Sequence, residues 1–142
     1  MTIAQGATNT FKVGLPSGTF NFGTDTFKIA LYTSAASIGP DTTAYTTTGE
    51  VVASGYTAGG QTMTVTQVPT IGNQTGVATA YLSFANVVFN AAITARGALI
   101  YKVGGSNPTV CVLDFGADKT STTTFTVQFP ATTDTSAIIR IS

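Results

Sequence analysis

The sequence predicts an all-β domain, an antiparallel β-sandwich or barrel that is jelly-roll-like and has about eight strands. Of the 142 residues, 29 are threonine, a β-branched residue that suits the pleated surface of a strand. Segments in which apolar and polar residues alternate recur roughly every ten positions, with turn residues between them. No segment sustains the period of a helix.

The first 60 residues are expected to hold an arm, one strand and a long loop. Residues 1–24 are rich in Gly, Asn and Thr, with large apolar side chains scattered among them, which indicates a possible N-terminal arm. Residues 26–33 alternate with Phe27, Ile29 and Leu31 on one face, which is typical of a half-buried strand. Turn residues dominate 34–60, and a long loop in a compact domain is usually functional or stabilised by partners.

Seven further segments have strand patterns: 61–68, 77–84, 86–89, 98–103, 110–115, 122–129 and 137–141. Pro69 limits the first of them to an edge or an end, because proline cannot donate to a strand ladder. Residues 98–103 are apolar on both faces, which predicts a central strand covered on both sides. Phe125 and Val127 are expected to point inward. No repeat or linker divides the chain, so 1–142 is predicted to be a single domain.

The charged residues exclude several classes of function. Six Lys and Arg balance six Asp and Glu, so no basic patch is expected for nucleic acid or for an anionic membrane. There is no His, which removes Ser-His-Asp and Cys-His nucleophile pairs. A single Cys allows neither an internal disulfide nor a zinc site of Cys and His. We therefore expect no catalytic residues, no metal-binding or cofactor-binding residues, and no cofactor.

One carboxylate stands apart from the others. Asp114 lies inside an apolar strand, where alternation predicts that it shares a face with Val110 and Val112, and a carboxylate there needs a partner. Arg96 and Lys102 are the candidates for a structural ion pair with it. Four other carboxylates lie among Gly, Thr and Ser, where Asp commonly accepts backbone hydrogen bonds in turns: Asp25, Asp41, Asp118 and Asp134.

Three further motifs have simple interpretations. Cys111 shares a face with Leu113 and Phe115, which predicts a buried and inert thiol. The acceptor pattern for N-glycosylation at 73–75 is interpreted as chance, because the chain begins without a secretory signal pattern and is expected to be made in a cytoplasm. The glycines of 55–60 are expected to permit unusual backbone angles or the close approach of a neighbouring chain.

Three strings resemble a known family. They are TFKIALYTSAASIGPDTTAYTTTGEVVASGYTAGG (26–60), TARGALIYK (94–102) and VLDFGADKTSTTTFTVQFP (112–130). Together they are similar to small virion structural proteins of tailed bacteriophages, including capsid decoration, or cement, proteins. The resemblance covers roughly residues 19 to 130. It implies a β-sandwich or jelly-roll module that stiffens the shell between capsomers, and it carries no catalytic residue.

This resemblance leads to a hypothesis of a non-enzymatic decoration protein in the virion. Its expected partners are the major capsid protein and copies of itself, as a homodimer or trimer. Strands that are apolar on both faces must be covered by loops or by other subunits, and sparse charge suits a permanent interface. The arm and the loop 34–60 are the expected contact regions, and their large apolar residues are the expected assembly contacts: Phe11, Leu15, Phe20, Phe22, Tyr45 and Tyr56.

Other functions remain open at this point. The same kind of protein in the tail, neck or a fibre would have the same sequence features. A receptor-binding or glycan-binding β-sandwich would need exposed aromatic rings on a loop, for which Tyr45 and Tyr56 are the candidates. An enzyme would need a second carboxylate that faces Asp114 across a cleft.

Overall fold

The computed structural model describes residues 2–73 and 76–142. Those ranges form an all-β, antiparallel, sandwich-like fold without a closed barrel, as the sequence predicts. They contain ten strands and one helix: β1 (Gly6–Ala7), α1 (Asn9–Ser17), β2 (Phe27–Tyr32), β3 (Gln61–Thr62), β4 (Val65–Gly72), β5 (Thr79–Phe84), β6 (Val87–Phe89), β7 (Thr94–Lys102), β8 (Thr109–Thr120), β9 (Phe125–Val127) and β10 (Ile139–Ile141).

The strands form three sheets in which every named pair is antiparallel. The largest sheet has the order β1-β8-β7-β2-β3, a second has the order β10-β5-β4, and β6 pairs with β9. The jelly-roll order expected from the sequence is not this one. A jelly roll joins eight strands in two Greek keys, whereas the described strands divide into sheets of five, three and two.

The main core unites residues from all three sheets. Phe27, Ile29 and Leu31 of β2 point into it, as their alternation predicts. Phe125 and Val127 of β9 reach it from another sheet and are buried, which confirms the inward face predicted for that segment. The alternation of strand residues thus supplies the apolar face of each layer.

The second face of the large sheet carries a smaller core. Tyr32 of β2, Leu99 of β7 and Val112 of β8 lie there, against Ile3 and Ile38 of the chain's own loops. Strand β7 is central and covered on both faces, as predicted. The sequence left open whether loops or other subunits provide this cover, and the protein's own segments 2–5 and 33–60 do so.

Residues 2–24 are not a free arm, which corrects the prediction for 1–24. The segment contains β1, which pairs with β8, and helix α1, which contacts the same strand. The Thr8 hydroxyl caps the helix by accepting the N–H of Phe11 and donates to the carbonyl oxygens of Thr109 and Val110. This one buried side chain therefore starts the helix and fastens it to the sheet.

Strand β4 confirms the prediction that Pro69 belongs to an edge. Among the described strands it pairs only with β5, and two register shifts interrupt the pairing around Pro69. Val65–Gly72 and Thr79–Phe84 pair as an antiparallel hairpin. The acceptor pattern at 73–75 falls partly on Gln74 and Thr75, which lie outside the described residues.

Candidate assembly surface

Three of the predicted assembly contacts lie in the chain's own core. Phe11, Phe20 and Phe22 are all at least nine-tenths buried, so the prediction that they contact another protein is wrong. Their rings pack on one another and against Phe27, with the Phe22 and Phe27 ring centroids only 4.4 Å apart. Aromatic burial of this kind explains why the N-terminal segment docks on the domain.

Tyr45 and Tyr56, which the glycan-binding alternative would need as exposed rings and which are also predicted assembly contacts, are both half-buried. Tyr45 stacks on Tyr101 with centroids 4.8 Å apart, and Tyr56 stacks on Phe89 at 5.6 Å. Both hydroxyls donate to the carboxylate of Glu50, over 2.6 Å from Tyr45 and 2.8 Å from Tyr56. Their rings and hydroxyls are therefore engaged inside the protein.

Glu50 is the centre of a buried polar network. Its carboxylate also accepts the backbone N–H of Gly59 over 2.7 Å, and the hydroxyl of Tyr101 donates to the carbonyl oxygen of Gly59. Nearby, the Tyr32 hydroxyl donates to the carbonyl oxygen of Thr46. These bonds tie the loop 33–60 to strands β2 and β7, so the geometry assigns Glu50 a structural role.

Burial keeps the tyrosines of this network protonated. It raises the pKa of Tyr101 to about 12, and it raises the pKa of Tyr32, Tyr45 and Tyr56 above the ordinary value too. The negative charge of Glu50 acts in the same direction. Protonated hydroxyls are the donors that the Glu50 carboxylate needs, so the network is complete without a cation.

The predicted ion pair between Arg96 and Asp114 is confirmed. Arg96 Nε lies 3.0 Å from Asp114 Oδ1, and both side chains are about one-quarter to one-third exposed. Lys102 is not a partner of Asp114: its Nζ lies 3.2 Å from Asp25 Oδ2 instead. Lys102 lies near Asp25 because it pairs across the sheet with Phe27, which follows shortly after Asp25 in the chain.

The face assigned to Asp114 needs one correction. A register shift between β7 and β8 near Ile100 inserts one extra residue, so Val110 turns into the main core. Val112 belongs to the smaller core on the other side of the sheet, so Val110 and Val112 do not share a face. A β-bulge of this kind cannot be inferred from alternation alone.

We expect Asp114→Asn to lower stability at neutral pH and to have no effect in strong acid. The N–H of Gly116 and then the Arg96 guanidinium hold the pKa of Asp114 below its usual range. A lowered carboxyl pKa stabilises the fold above the unfolded-state pKa, and this contribution is lost as pH falls through the folded-state pKa. Urea unfolding of both proteins across the acid range measures the difference.

Two outcomes check this prediction. Arg96→Gln should show the same pH dependence with a smaller loss, because the Gly116 hydrogen bond remains. A stability difference between Asp114→Asn and the unchanged protein that persists at the lowest pH would contradict the assignment.

Cys111 is buried, and burial raises the pKa of its thiol to about 12. The predicted burial is confirmed, and a raised thiol pKa disfavours the thiolate, which is the reactive form. Leu113 and Phe115 pack against the same core, also as predicted.

The most distinctive surface lies on the hairpin of β4 and β5. Val68, Ile71 and Val77 are 52%, 67% and 54% exposed, and no residue of β4 is buried. We call these three residues the hairpin surface. Residues 51–95, which include it, contain no Asp, Glu, Lys or Arg. Within the described ranges, this uncharged segment carries five of the eight exposed large aliphatic side chains: Val52, Val68, Ile71, Val77 and Val88.

An uncharged aliphatic hairpin is unusual on a surface that must stay in water. Exposed apolar residues that cluster mark contact sites for other macromolecules more often than single exposed residues do. The gap in charge from 51 to 95 could have been found in the sequence, but the pairing of β4 at a sheet edge was needed to show which aliphatic residues are exposed. The hairpin surface is therefore the candidate assembly surface.

Residues 2–73 and 76–142 contain no group of three His, Cys, Asp or Glu side chains that could hold a metal ion. Within the same ranges, no helix has the length and apolarity needed to cross a membrane. Comparison of the chain with protein-family models, with curated protein sequences and with solved structures finds no match.

Proposed function

We propose that this chain is a non-enzymatic structural protein of a tailed-phage virion, a decoration protein that binds and stabilises the head shell. The single observation that supports it best is the hairpin surface, where aliphatic side chains are exposed on a segment without charge. The resemblance of residues 26–60, 94–102 and 112–130 to virion structural proteins points to the same role.

The mechanism is repeated burial of neutral β-surface against the shell. Charged residues are depleted at the centre of lasting interfaces, because their desolvation is costly. Each hairpin contributes a small apolar contact, and many copies on one lattice, as dimers or trimers, raise the effective concentration of the remaining contacts. The Glu50 network and the docked helix suit this role, because a rigid module loses little conformational entropy on binding.

This proposal is tested by mixing the purified protein with undecorated capsids and measuring how much of it sediments with them. The unchanged chain should sediment with the capsids, and Val68→Lys combined with Ile71→Lys should weaken binding at least about tenfold, since each lysine replaces an apolar contact with a charge that must be desolvated. Val13→Lys is the matched control: Val13 is 68% exposed on α1, away from the hairpin, and should leave binding unchanged.

Two results would contradict the proposal. If the unchanged chain stays in the supernatant, the head assignment fails, and binding to isolated tails would move the protein to the tail or neck. If the double variant sediments as well as the unchanged chain while circular dichroism shows both folded, the hairpin surface is not the contact.

A further inference from the structure

A second surface, an apolar groove of about 440 Å³, lies where the N-terminal segment meets β10. One wall is built by α1 and β1, and the other by Ile139, Arg140 and Ile141 of β10. Leu15, predicted from the sequence as an assembly contact, lines this groove and is only half-buried. Its volume is in the range of sites that hold a few side chains of a ligand.

Two sheet edges flank the groove. Among the described strands, β1 pairs only with β8, and β10 pairs only with β5. The free side of β10 therefore presents backbone N–H and C=O groups that no strand of the described chain satisfies. An exposed edge of this kind is a template for an added strand. Neither edge strand carries a proline or a register shift, unlike β4.

The charges of the groove all have one sign. Lys12 on α1 and Arg140 on β10 line it, and no Asp or Glu does. Within the described ranges the ion pairs Arg96–Asp114 and Lys102–Asp25 do not include Lys12 or Arg140. Arg140 Nη1 donates to the carbonyl oxygen of Thr135 over 2.5 Å, which leaves its other donors available.

We propose that this groove binds an extended peptide segment of another protein, which adds a strand to the free edge of β10. Alternate aliphatic side chains of that peptide lie on the apolar floor near Leu15 and Leu113. At least one carboxylate of the peptide pairs with Lys12 or Arg140. Recognition by strand addition uses backbone bonds for affinity and alternate side chains for specificity. This proposal does not depend on the virion role.

A second copy of this chain is a poorer occupant than an acidic peptide. The uncharged segment 51–95 of a second copy would bring aliphatic residues but no carboxylate that could pair with Lys12 and Arg140. Two copies that meet groove to groove would bring four cations together, and like charges at an interface disfavour association. The charge of the groove thus selects a partner with acidic residues.

Nuclear magnetic resonance of the isotope-labelled protein tests this proposal. The probes are a set of eight-residue peptides that alternate Val with Ser or Thr and carry one Glu at different positions, and a matched set carries Lys instead. We expect glutamate peptides to shift the amide signals of Gly6, Ala7, Ile139 and Ile141 and to slow hydrogen exchange in β10. The lysine set should bind at least about tenfold more weakly.

Charge reversal gives the matched variants. Lys12→Glu combined with Arg140→Glu should weaken binding of the glutamate peptides at least about tenfold and reverse the preference toward the lysine set. Replacing Arg140 also removes its hydrogen bond to Thr135 and could disturb β10. The single variant Lys12→Glu keeps that bond, so it tests the charge of the groove with β10 unchanged. Lys119→Glu, at an exposed site outside the groove, should leave the affinity within about twofold.

Three results would overturn the proposal. The first is that no glutamate peptide shifts these amides at about 1 mM. The second is that both peptide sets bind equally. The third is that the same amides shift with protein concentration alone, which would show that a second copy fills the groove.

Discussion

Gly60→Ala should lower the free energy of unfolding by about 4 kcal/mol or more, a large part of a typical domain stability of about 5 to 15 kcal/mol. Gly60 has a φ of +78°, where a residue with a side chain is strained. A Cβ placed there would lie 1.8 Å from the carbonyl oxygen of Ile29 and 2.6 Å from its carbonyl carbon. Both atoms are backbone of the central core strand β2, so relief requires the sheet to move.

The expected damage would spread through neighbouring contacts. Gly59, the preceding residue, donates to Glu50, and Gln61, the next, pairs with Ile29 at the start of β3. Displacement of this turn would therefore strain the loop that covers the second face of the sheet. Because the chain has no Trp, near-ultraviolet circular dichroism of its tyrosines and urea unfolding are the suitable measurements.

Gly18→Ala separates backbone strain from the clash. Gly18 has a similar φ of +74° at the end of α1, but a Cβ there would meet nothing within 4 Å. It should cost only about 1 to 2 kcal/mol, the ordinary penalty of the left-handed conformation. Equal losses for Gly60→Ala and Gly18→Ala would contradict the close approach of the 55–60 turn to β2.

Glu50→Ala should cost about 3 to 5 kcal/mol, the second large effect. It removes the acceptor of three hydrogen bonds and leaves the Tyr45 hydroxyl, the Tyr56 hydroxyl and the Gly59 N–H without that partner. The buried Gly59 N–H left in this way costs about 1 to 3 kcal/mol, and each of the two part-buried hydroxyls costs less because water can reach it. Urea unfolding gives the loss, and the tyrosine circular dichroism should change in the same variant.

Two further variants serve as comparisons for this prediction. Glu50→Gln keeps the side-chain volume and one acceptor oxygen, so it should lose clearly less than Glu50→Ala. Asp118→Ala removes an exposed carboxylate from β8 and should change stability by less than about 0.5 kcal/mol. If Glu50→Ala is as stable as Asp118→Ala, apolar packing alone holds the loop 33–60 on the sheet.

Local alternation predicted the strands well because it records which face is buried. Phe27, Ile29 and Leu31 illustrate this, since each lies on the core side of a strand whose neighbours were unknown from the sequence. Helix α1 was missed because it has only nine residues and contains Gly14 and Pro16, which obscure any helical period. Its stability comes from the Thr8 cap and from packing of Phe11, both of which depend on distant strands.

The candidate surfaces were harder to predict because they depend on pairing across the chain. Glu50 meets its donors in a loop that has no periodic pattern. The hairpin surface requires β4 to be an edge strand, and the groove requires β1 and β10, from opposite ends of the chain, to line the same cavity. Assembly contacts predicted from size and apolarity alone were therefore placed on phenylalanines that the fold uses for its own core.

A reconstruction of phage particles assembled in the presence of this chain tests the proposed role most directly. The decoration role predicts density for the chain on the outside of the head shell, at the contacts between capsomers, with Val68 and Ile71 of the β4–β5 hairpin against the capsid protein. Particles without the chain, density confined to the tail or neck, or a chain bound to the head with this hairpin facing solvent would each contradict it.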